Sequence, residues 1–532
     1  MEPLTKNTAL SSFINHKNET NMQCGNYTID LPELKSGEQY RFVFDATACV
    51  GCHCCEVACN EQNANPDDIK WRRVGEMEAG VFPDTLQLFN SMSCNHCIDP
   101  ECLKGCPTNA YIKLENGIVF HDDPNCIGCQ YCTWNCPYEV PTFNKDRGIV
   151  TKCHMCVDKL EVGQTPACVQ ACPANAINIE VVNVDKWLNE DMAKEGVAPH
   201  LPDIEITKPT TRYILPSLPE GAEFKPADEH LLKPAHPEFP LIFMTVLTQA
   251  SVGAFVAIFL GQFLYSLGFN LPAPTATMVF FALALAGVGL PLSALHLGRP
   301  SKAIWAMRNY KTSWLSREAI ALGAYAGVAG LVWLMYLFDF NGFLKLLFEA
   351  IGVALGVYGI YAQSKIYRIK ARPSWNREST TKRFFGTGYI GFLIVSFLLL
   401  LSNQASGAFV LLAITLLVGA GQYLIINDEV NFYKYLNREH KNYYQLNRTK
   451  KLLFEHFKKL KTARVHSLRL FAIAMPLLTI LFSASGNYTI ASVILFIAII
   501  GSFVSEIIGR YLFYVTVVPL GLAGNFFAGN QR

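Results

Sequence analysis

From residue 241 onward, apolar runs of about twenty residues alternate with polar breaks, the length a helix needs to cross the hydrocarbon core of a bilayer. Eight such runs are read, at 241–268, 275–297, 317–338, 343–364, 384–403, 406–427, 467–486 and 488–510. Before residue 240 the pattern changes. Short stretches such as FVFD (42–45) and IVFH (118–121) lead, as strands do, into loops dense in cysteine. The pattern predicts an α+β half followed by an all-α, eight-helix transmembrane bundle. A hydrophobic soluble bundle is the bland alternative, and eight such runs in residues 241–532 argue against it.

Charge divides the chain at the same place. Residues 1–240 hold 19 Lys and Arg against 34 Asp and Glu, a formal charge of −15, whereas residues 241–532 hold 26 against 9, or +17. The basic residues of the second half gather in alternate loops: Arg299, Lys302, Arg308, Lys311 and Arg317, then 365–383, then 428–466 with ten Lys and Arg. By the positive-inside rule those loops, and the first half with them, face the cytoplasm of an integral cytoplasmic-membrane protein. A basic membrane face would also dock the acidic half electrostatically, and both effects can act together. The opening MEPLTKNTALSSFINHKNET has neither an apolar core nor a twin arginine, so no export signal is read there. The expected organisation is an arm at 1–40, a cluster-bearing domain at 41–185, a linker or docking segment at 186–240, the anchor at 241–515 and a tail at 516–532.

All 18 cysteines lie in the first half, and 16 fall into four groups of four. The first is drawn from 49-CVGCHCCEVAC-59. The second is Cys94, Cys97, Cys102 and Cys106, the third Cys126, Cys129, Cys132 and Cys136, and the fourth Cys153, Cys156, Cys168 and Cys172. An internal repeat resolves the first group. Aligned from Cys49, the residues Cys49, Cys52, Cys55 and Cys59 fall on Cys126, Cys129, Cys132 and Cys136, while Cys54 falls on Tyr131. What remains is the C-x2-C-x2-C-x3-C pattern of bacterial ferredoxins, which makes the first half a ferredoxin-like domain carrying several [4Fe–4S] clusters.

Three thiolates in a short loop wrap one face of a cubane, and the fourth typically serves the partner cluster. Proline directly after Cys106, Cys136 and Cys172 redirects the chain there. Zinc is the alternative occupant, against which the four triple-plus-one spacings with three Cys-Pro junctions speak; the C-x-x-C spacings and the lack of a secretory signal speak against disulfides. Cys24 and Cys54 have no ligand set left to join. His53, His96 and His154 sit inside the cysteine loops, where solvating the loop or bonding cluster sulfur is favoured over ligation. No dinucleotide, Walker or nucleophile-elbow motif is present, and the acidic balance argues against nucleic acid.

Ionisable groups at membrane depth are functional candidates. The densest set is PLSALHLGRPSKAIWAMRNYKTSWLSREAIALG (291–323), with His296 ending the second span and Glu318 opening the third on the same side. A quinol sheds two protons as it loses two electrons, so His296 is a candidate acceptor and Glu318 a candidate relay. Interfacial anchoring by His296 and Arg299, with Glu318 as an acidic residue at a helix start, is the competing reading. Glu506 and Arg510, one turn apart, are expected to form an intramembrane ion pair; Glu349 has no assigned role.

Four stretches carry a resemblance: HPEFPLIFMTVLTQ (236–249), HLGRP (296–300), SWLSRE (313–318) and SEIIGRYLFY (505–514). With the cysteine groups, the chain resembles the iron–sulfur subunit of the dimethyl sulfoxide reductase family over about 45–185, fused to that family's quinol-oxidising anchor over 236–515. The polysulfide reductase type of anchor shares an HLGRP-like turn and is a more distant resemblance. The family implies that electrons leave menaquinol, or another quinol, near His296, Arg299 and Glu318. They would then pass through four [4Fe–4S] clusters to a separate molybdopterin subunit. It also implies the pairing: Cys49, Cys52 and Cys55 with Cys172; Cys153, Cys156 and Cys168 with Cys59; Cys94, Cys97 and Cys102 with Cys136; Cys126, Cys129 and Cys132 with Cys106. In nitrate-reductase relatives a tryptophan replaces one cysteine; Trp134 replaces none here, so four cubanes are expected.

The fusion, and a charge pattern that puts the clusters in the cytoplasm, depart from the family's familiar members. The expected partners are the molybdopterin subunit, membrane lipid and the quinone pool. Two rival readings stay open: a dehydrogenase arm delivering electrons to quinone, and a proton-translocating subunit. The bunching of ionisable groups near one face disfavours the second.

Overall fold

The structure, a computed structural model, describes residues 34–217, 224–268, 273–340, 342–522 and 524. The expectations for Cys24, for residues 1–33 of the arm and for most of the tail beyond 522 lie outside these residues.

The first half is a mixed α/β body. Strand β1 (Glu38–Asp45) is central in a three-stranded sheet, antiparallel to β8 (Ile177–Asn183) and parallel to β9 (Arg212–Ile214). Strands β2 (Arg73–Val81) and β3 (Asp84–Met92) form a hairpin extended by β10 (Lys225–Pro226). Two short hairpins, β4 (Tyr111–Lys113) with β5 (Val119–His121) and β6 (Thr142–Asn144) with β7 (Ile149–Thr151), lie between the cysteine groups. Residues 186–240 thus add β9 and β10 to the sheets of the cysteine half. Phe42, Phe44, Met77, Leu88, Ile118 and Ile177 form one core with several of the cysteines.

Short helices follow the cysteine loops: α1 (Cys54–Asn63), α2 (Glu101–Gly105), α3 (Tyr131–Asn135), α4 (Val157–Leu160) and α5 (Ala167–Gln170). Their lengths have a local cause. Cys106 and Cys136 cap α2 and α3, and the prolines behind them cannot continue a helix. Cys59 has no following proline, and α1 runs on to Asn63.

The second half contains eight helices long and apolar enough to span a membrane: α6 (Phe239–Ser266), α7 (Ala276–His296), α8 (Trp314–Leu337), α9 (Phe343–Tyr367), α10 (Glu378–Leu401), α11 (Ala405–Lys434), α12 (Lys458–Ala484) and α13 (Tyr488–Val515). All eight expected spans are present. α10 begins six residues earlier than the apolar run at 384, and α12 nine residues earlier than the run at 467. There the helix continues into a polar turn, with Lys458, Lys459, Lys461 and Arg464 on α12, which hydropathy alone cannot delimit.

Helix α6 is the hub, packing on α7, α9, α10 and α13. Its crossing with α10 is close because Gly253 meets Gly388, and Gly391 meets the backbone of Ala250 and Ala254. A Cβ on Gly391 would lie 2.0 Å from Ala254 N. Pro291 sits near the end of α7, whose last turn, Ser293–His296, tightens to a 3₁₀ helix and brings His296 out at the edge of the bundle.

Candidate functional site

The two repeats share their backbone as well as their cysteines. Gly51 and His53 in the first loop have φ of 66° and 61°; Gly128 and Gln130, their counterparts, have 69° and 58°. Positive φ turns successive N–H groups toward one side of the loop, the geometry of an anion-binding nest. Gly128 N lies 3.4 Å from Cys126 Sγ, and Met155 N, at φ 60°, lies 3.4 Å from Cys153 Sγ.

The Cys-Pro junctions form a second shared device. Asn109, Glu139 and Asn175, each three residues after its cysteine, adopt φ of 56°, 53° and 52°. The next N–H then returns to the sulfur, from Ala110 to Cys106 Sγ at 3.3 Å and from Ala176 to Cys172 Sγ at 3.2 Å. Val140 makes the same return to Cys136.

The groups contiguous in sequence are not the groups formed in space. Cys59 lies among Cys153, Cys156 and Cys168, around one small cavity. Cys136 lies with Cys94, Cys97 and Cys102 around another. Cys106 lies against Cys126, Cys129 and Cys132. Cys172 faces Cys49, and Cys55 stands beside Ser91 on the side toward Cys168. Cys52 and Cys54 are exposed.

These arrangements suit iron–sulfur clusters. All the described cysteines are free thiols. Among the described residues no three of the thiol, imidazole or carboxylate groups converge as a single metal ion would require. Thiols instead ring closed volumes with N–H groups aimed at sulfur. Burial pushes the Cys55 and Cys136 thiols up to about 11, so iron must displace a proton to bind there. Of the loop histidines, His96 accepts from Val119 N at 3.1 Å through Nδ1, and His154 from Val157 N at 3.3 Å. Burial holds the His96 imidazole well below its usual range. Both rings therefore brace the loops.

The membrane half grips the group of Cys106, Cys126, Cys129 and Cys132. The turn at 296–300 pairs with the cysteine loop backbone to backbone, from Gly298 N to Gly128 O at 3.2 Å and from Arg299 N to Ile127 O at 3.1 Å. The approach requires glycine on both sides, since a Cβ on Gly298 would lie 2.2 Å from Gly148 O. Arg299 reaches Asp123 O at 3.0 Å and Cys126 O at 3.4 Å. Asn309 Nδ2 donates to Cys106 O at 2.8 Å, and Ser313 Oγ to Gly105 O at 2.8 Å.

His296 is held from both ends. Its Nδ1 lies 3.0 Å from Glu238 Oε2 and its Nε2 3.2 Å from Cys129 O. Glu238 was not singled out by sequence reasoning, although HPEFP directly before an apolar run puts a carboxylate at the entry of α6. Trp134, between Cys132 and Cys136, has its ring 6.1 Å from His296 and 5.3 Å from Trp375, with Tyr367 and Tyr514 completing the aromatic wall. A cavity of about 680 Å³ reaches this wall from the cysteine side, lined by Arg73, Trp134, Glu238, Arg372, Arg448 and Tyr514.

Glu318, buried, accepts from Gln363 Nε2 at 2.9 Å. Gln363 in turn accepts from Gln249 at 2.6 Å, and Gln249 from Arg510 at 2.7 Å. Glu318 and His296 thus take different partners. The expected ion pair between Glu506 and Arg510 is replaced: Glu506 pairs with Arg464 at 2.8 Å, and Thr387 stands between Glu506 and Arg510. One turn of spacing put the two on one helix, but α12 brings a closer guanidinium. Glu349 accepts from Tyr336 OH at 2.8 Å.

Comparison with known proteins agrees with this division. Residues 232–516 match the family described as "DMSO reductase anchor subunit (DmsC)", and residues 85–182 match "4Fe-4S dicluster domain". The first half is similar to a chain of the anaerobic dimethyl sulfoxide reductase of Escherichia coli (strain K12), 37% identical over 179 residues, covering 32% of this protein and 86% of that one. The counterpart of Haemophilus influenzae is 36% identical over 181 residues, 32% of this protein and 87% of its own length. A component of the sulfite dehydrogenase of Allochromatium vinosum is 34% identical over 199 residues, 33% of this protein and 82% of its own length. With more than half of its length matched by the anchor family, the protein belongs to the DMSO reductase anchor subunits, and it carries on the same polypeptide a four-iron electron-transfer half similar to a chain of dimethyl sulfoxide reductase.

Proposed function

We propose that the protein oxidises a quinol, menaquinol in the first instance, at the junction of His296, Trp134 and Glu318. It would deliver the electrons through four [4Fe–4S] clusters to a molybdopterin-containing catalytic subunit of a sulfoxide-reductase-like complex. The observation that carries the reading is the backbone pairing of the 296–300 turn with the Cys126–Cys129 loop. It supports quinol chemistry and cluster entry within one compact junction.

The clusters would be held by Cys126, Cys129, Cys132 and Cys106 beside the membrane, by Cys94, Cys97, Cys102 and Cys136 next, by Cys153, Cys156, Cys168 and Cys59 after that, and by Cys49, Cys52, Cys55 and Cys172 at the exposed end. When bound, they supply one-electron transfer with no proton attached to it. The chain's own residues manage the two protons a quinol sheds. Glu318, oriented by Gln363, is a carboxylate acceptor in a dry setting, where a positioned base is most effective. His296 accepts a proton with Glu238 beside it to balance the imidazolium, and the cavity at Glu238 offers a route to water. Trp134 supplies a flat apolar face for the ring.

The reverse flow, a dehydrogenase arm feeding quinone, draws support from similarity to dehydrogenase components, the sulfite dehydrogenase among them. The anchor match covers more of the chain and favours the reductase direction.

The test is reduction of the clusters by a menaquinol analogue in membranes, followed by paramagnetic resonance. His296→Ala and Glu318→Gln are each expected to slow it by about 100-fold, with iron content and reduction by dithionite unchanged. Reduction at the unsubstituted rate in both variants would remove these residues from the site.

A further inference from the structure

Of the basic residues close to the cysteines, Lys152 and Arg72 are buried where two cysteine sets adjoin. Lys152 is 3% exposed. Its ammonium donates to Cys153 O at 2.7 Å, to Val119 O, and to Cys94 Sγ at 3.6 Å. Three acceptors thus meet its three hydrogens, and among the described residues no carboxylate forms a salt bridge with it.

Arg72, 2% exposed, donates to Ser91 Oγ at 3.1 Å and Ser93 Oγ at 2.9 Å, and it faces Cys55, Cys59, Cys153 and Cys168. A buried charge without a partner is costly, and a folded protein keeps one only against an opposite charge. No side-chain carboxylate fills that role for Lys152. Sulfur does.

The positions of the two cations follow the order of the cysteine sets. Cys94 belongs with Cys97, Cys102 and Cys136, and Cys153 with Cys59, Cys156 and Cys168; the two sets adjoin through Cys94 and Cys153. Lys152 touches both of these residues. Arg72 stands at the following junction, between Cys55 and Cys168. At the membrane-side set the basic group that meets sulfur is different in kind, because His121, which bonds Cys126, is itself paired with Asp123 at 2.8 Å.

We propose that Lys152 is a fixed positive charge that raises the reduction potentials of the two inner clusters it adjoins, with Arg72 acting alike one junction further out. The proposal rests on the cluster reading above. Reduction makes a thiolate-ligated cluster more negative by one charge, so a nearby cation stabilises the reduced form more than the oxidised one. In a dry interior that preference is weakly screened. At each junction one electron leaves one cluster and reduces the next, with no bond or proton moved. Potentials raised at the inner positions draw electrons away from the membrane-side set.

The experiment is a redox titration of the full-length chain in detergent, read by low-temperature paramagnetic resonance. Lys152→Met and Lys152→Gln are expected to lower the midpoint of at least one four-iron signal while iron content stays at the unsubstituted level. Lys152→Arg, which keeps the charge, is expected to restore the midpoint toward its original value. Unmoved midpoints in a neutral variant with full iron content overturn the proposal. So do loss of iron in both neutral variants, which would make the side chain purely structural, and an equal fall in Lys152→Arg. Absence of any four-iron signal from the unsubstituted chain would instead overturn the cluster reading beneath it.

Discussion

Cys54 and Tyr131 occupy the same place in the two repeats, the first residue of α1 and of α3. Tyr131 is buried against the membrane half, whereas Cys54 is exposed. The position is a docking contact in one repeat and open surface in the other, so its side chain is free to vary in the first. Cys55, one residue on, is buried beside Ser91. Cys54→Ser is therefore expected to leave iron content unchanged. Cys55→Ser is expected to remove up to about a quarter of the iron by loss of one cluster; equal iron in both variants would contradict this. The spacing and the repeat made these roles legible in the sequence. The left-handed Glu139 was not, because Glu has no special preference for that conformation and is held there by the turn that returns an N–H to sulfur.

Among the elements, the crossing of α6 with α10 depends most on small residues. Lipid gives little hydrophobic drive to helix association, so close backbone packing has to supply it. Gly253, Gly388 and Gly391 allow that approach. Gly391→Leu is expected to force the helices apart at a cost of about 3 kcal/mol, seen as a lower midpoint of thermal unfolding in detergent; an unchanged midpoint would show that the crossing tolerates bulk. The eight spans were legible because hydropathy is summed over a whole helix. Their cluster-side ends were not, since α10 and α12 continue as polar helix where packing, not apolarity, sustains them. The partner of Glu506 was hidden for a related reason: Arg464 lies 42 residues away on another helix, and only the bundle brings the two to 2.8 Å.

At the scale of the whole molecule, the basic loops of the anchor serve docking in a way charge counting did not anticipate. Arg299, Lys302, Arg372 and Arg448 reach backbone carbonyls of the first half at Asp123, Pro124, Thr133 and Asp228, and salt bridges such as Arg372–Glu139 are fewer. The positive face thus has a local use besides any topological one. The positive-inside reading still predicts both ends of the anchor in the cytoplasm. A reporter fused after residue 532 is expected to be active on the cytoplasmic side, and periplasmic activity would reverse the orientation. By itself the sequence determined the two-part architecture, the eight spans and the thiol-rich chemistry, because local spacing and hydropathy are written in contiguous residues. The tertiary structure brought together the cysteines that only the family resemblance had paired across groups, and it alone decided that Glu238 holds His296 and that Lys152 and Arg72 stand at the inner junctions. Those contacts join residues up to 123 positions apart, as in Cys49 and Cys172, and burial, with the need to match each buried charge and donor, selects them.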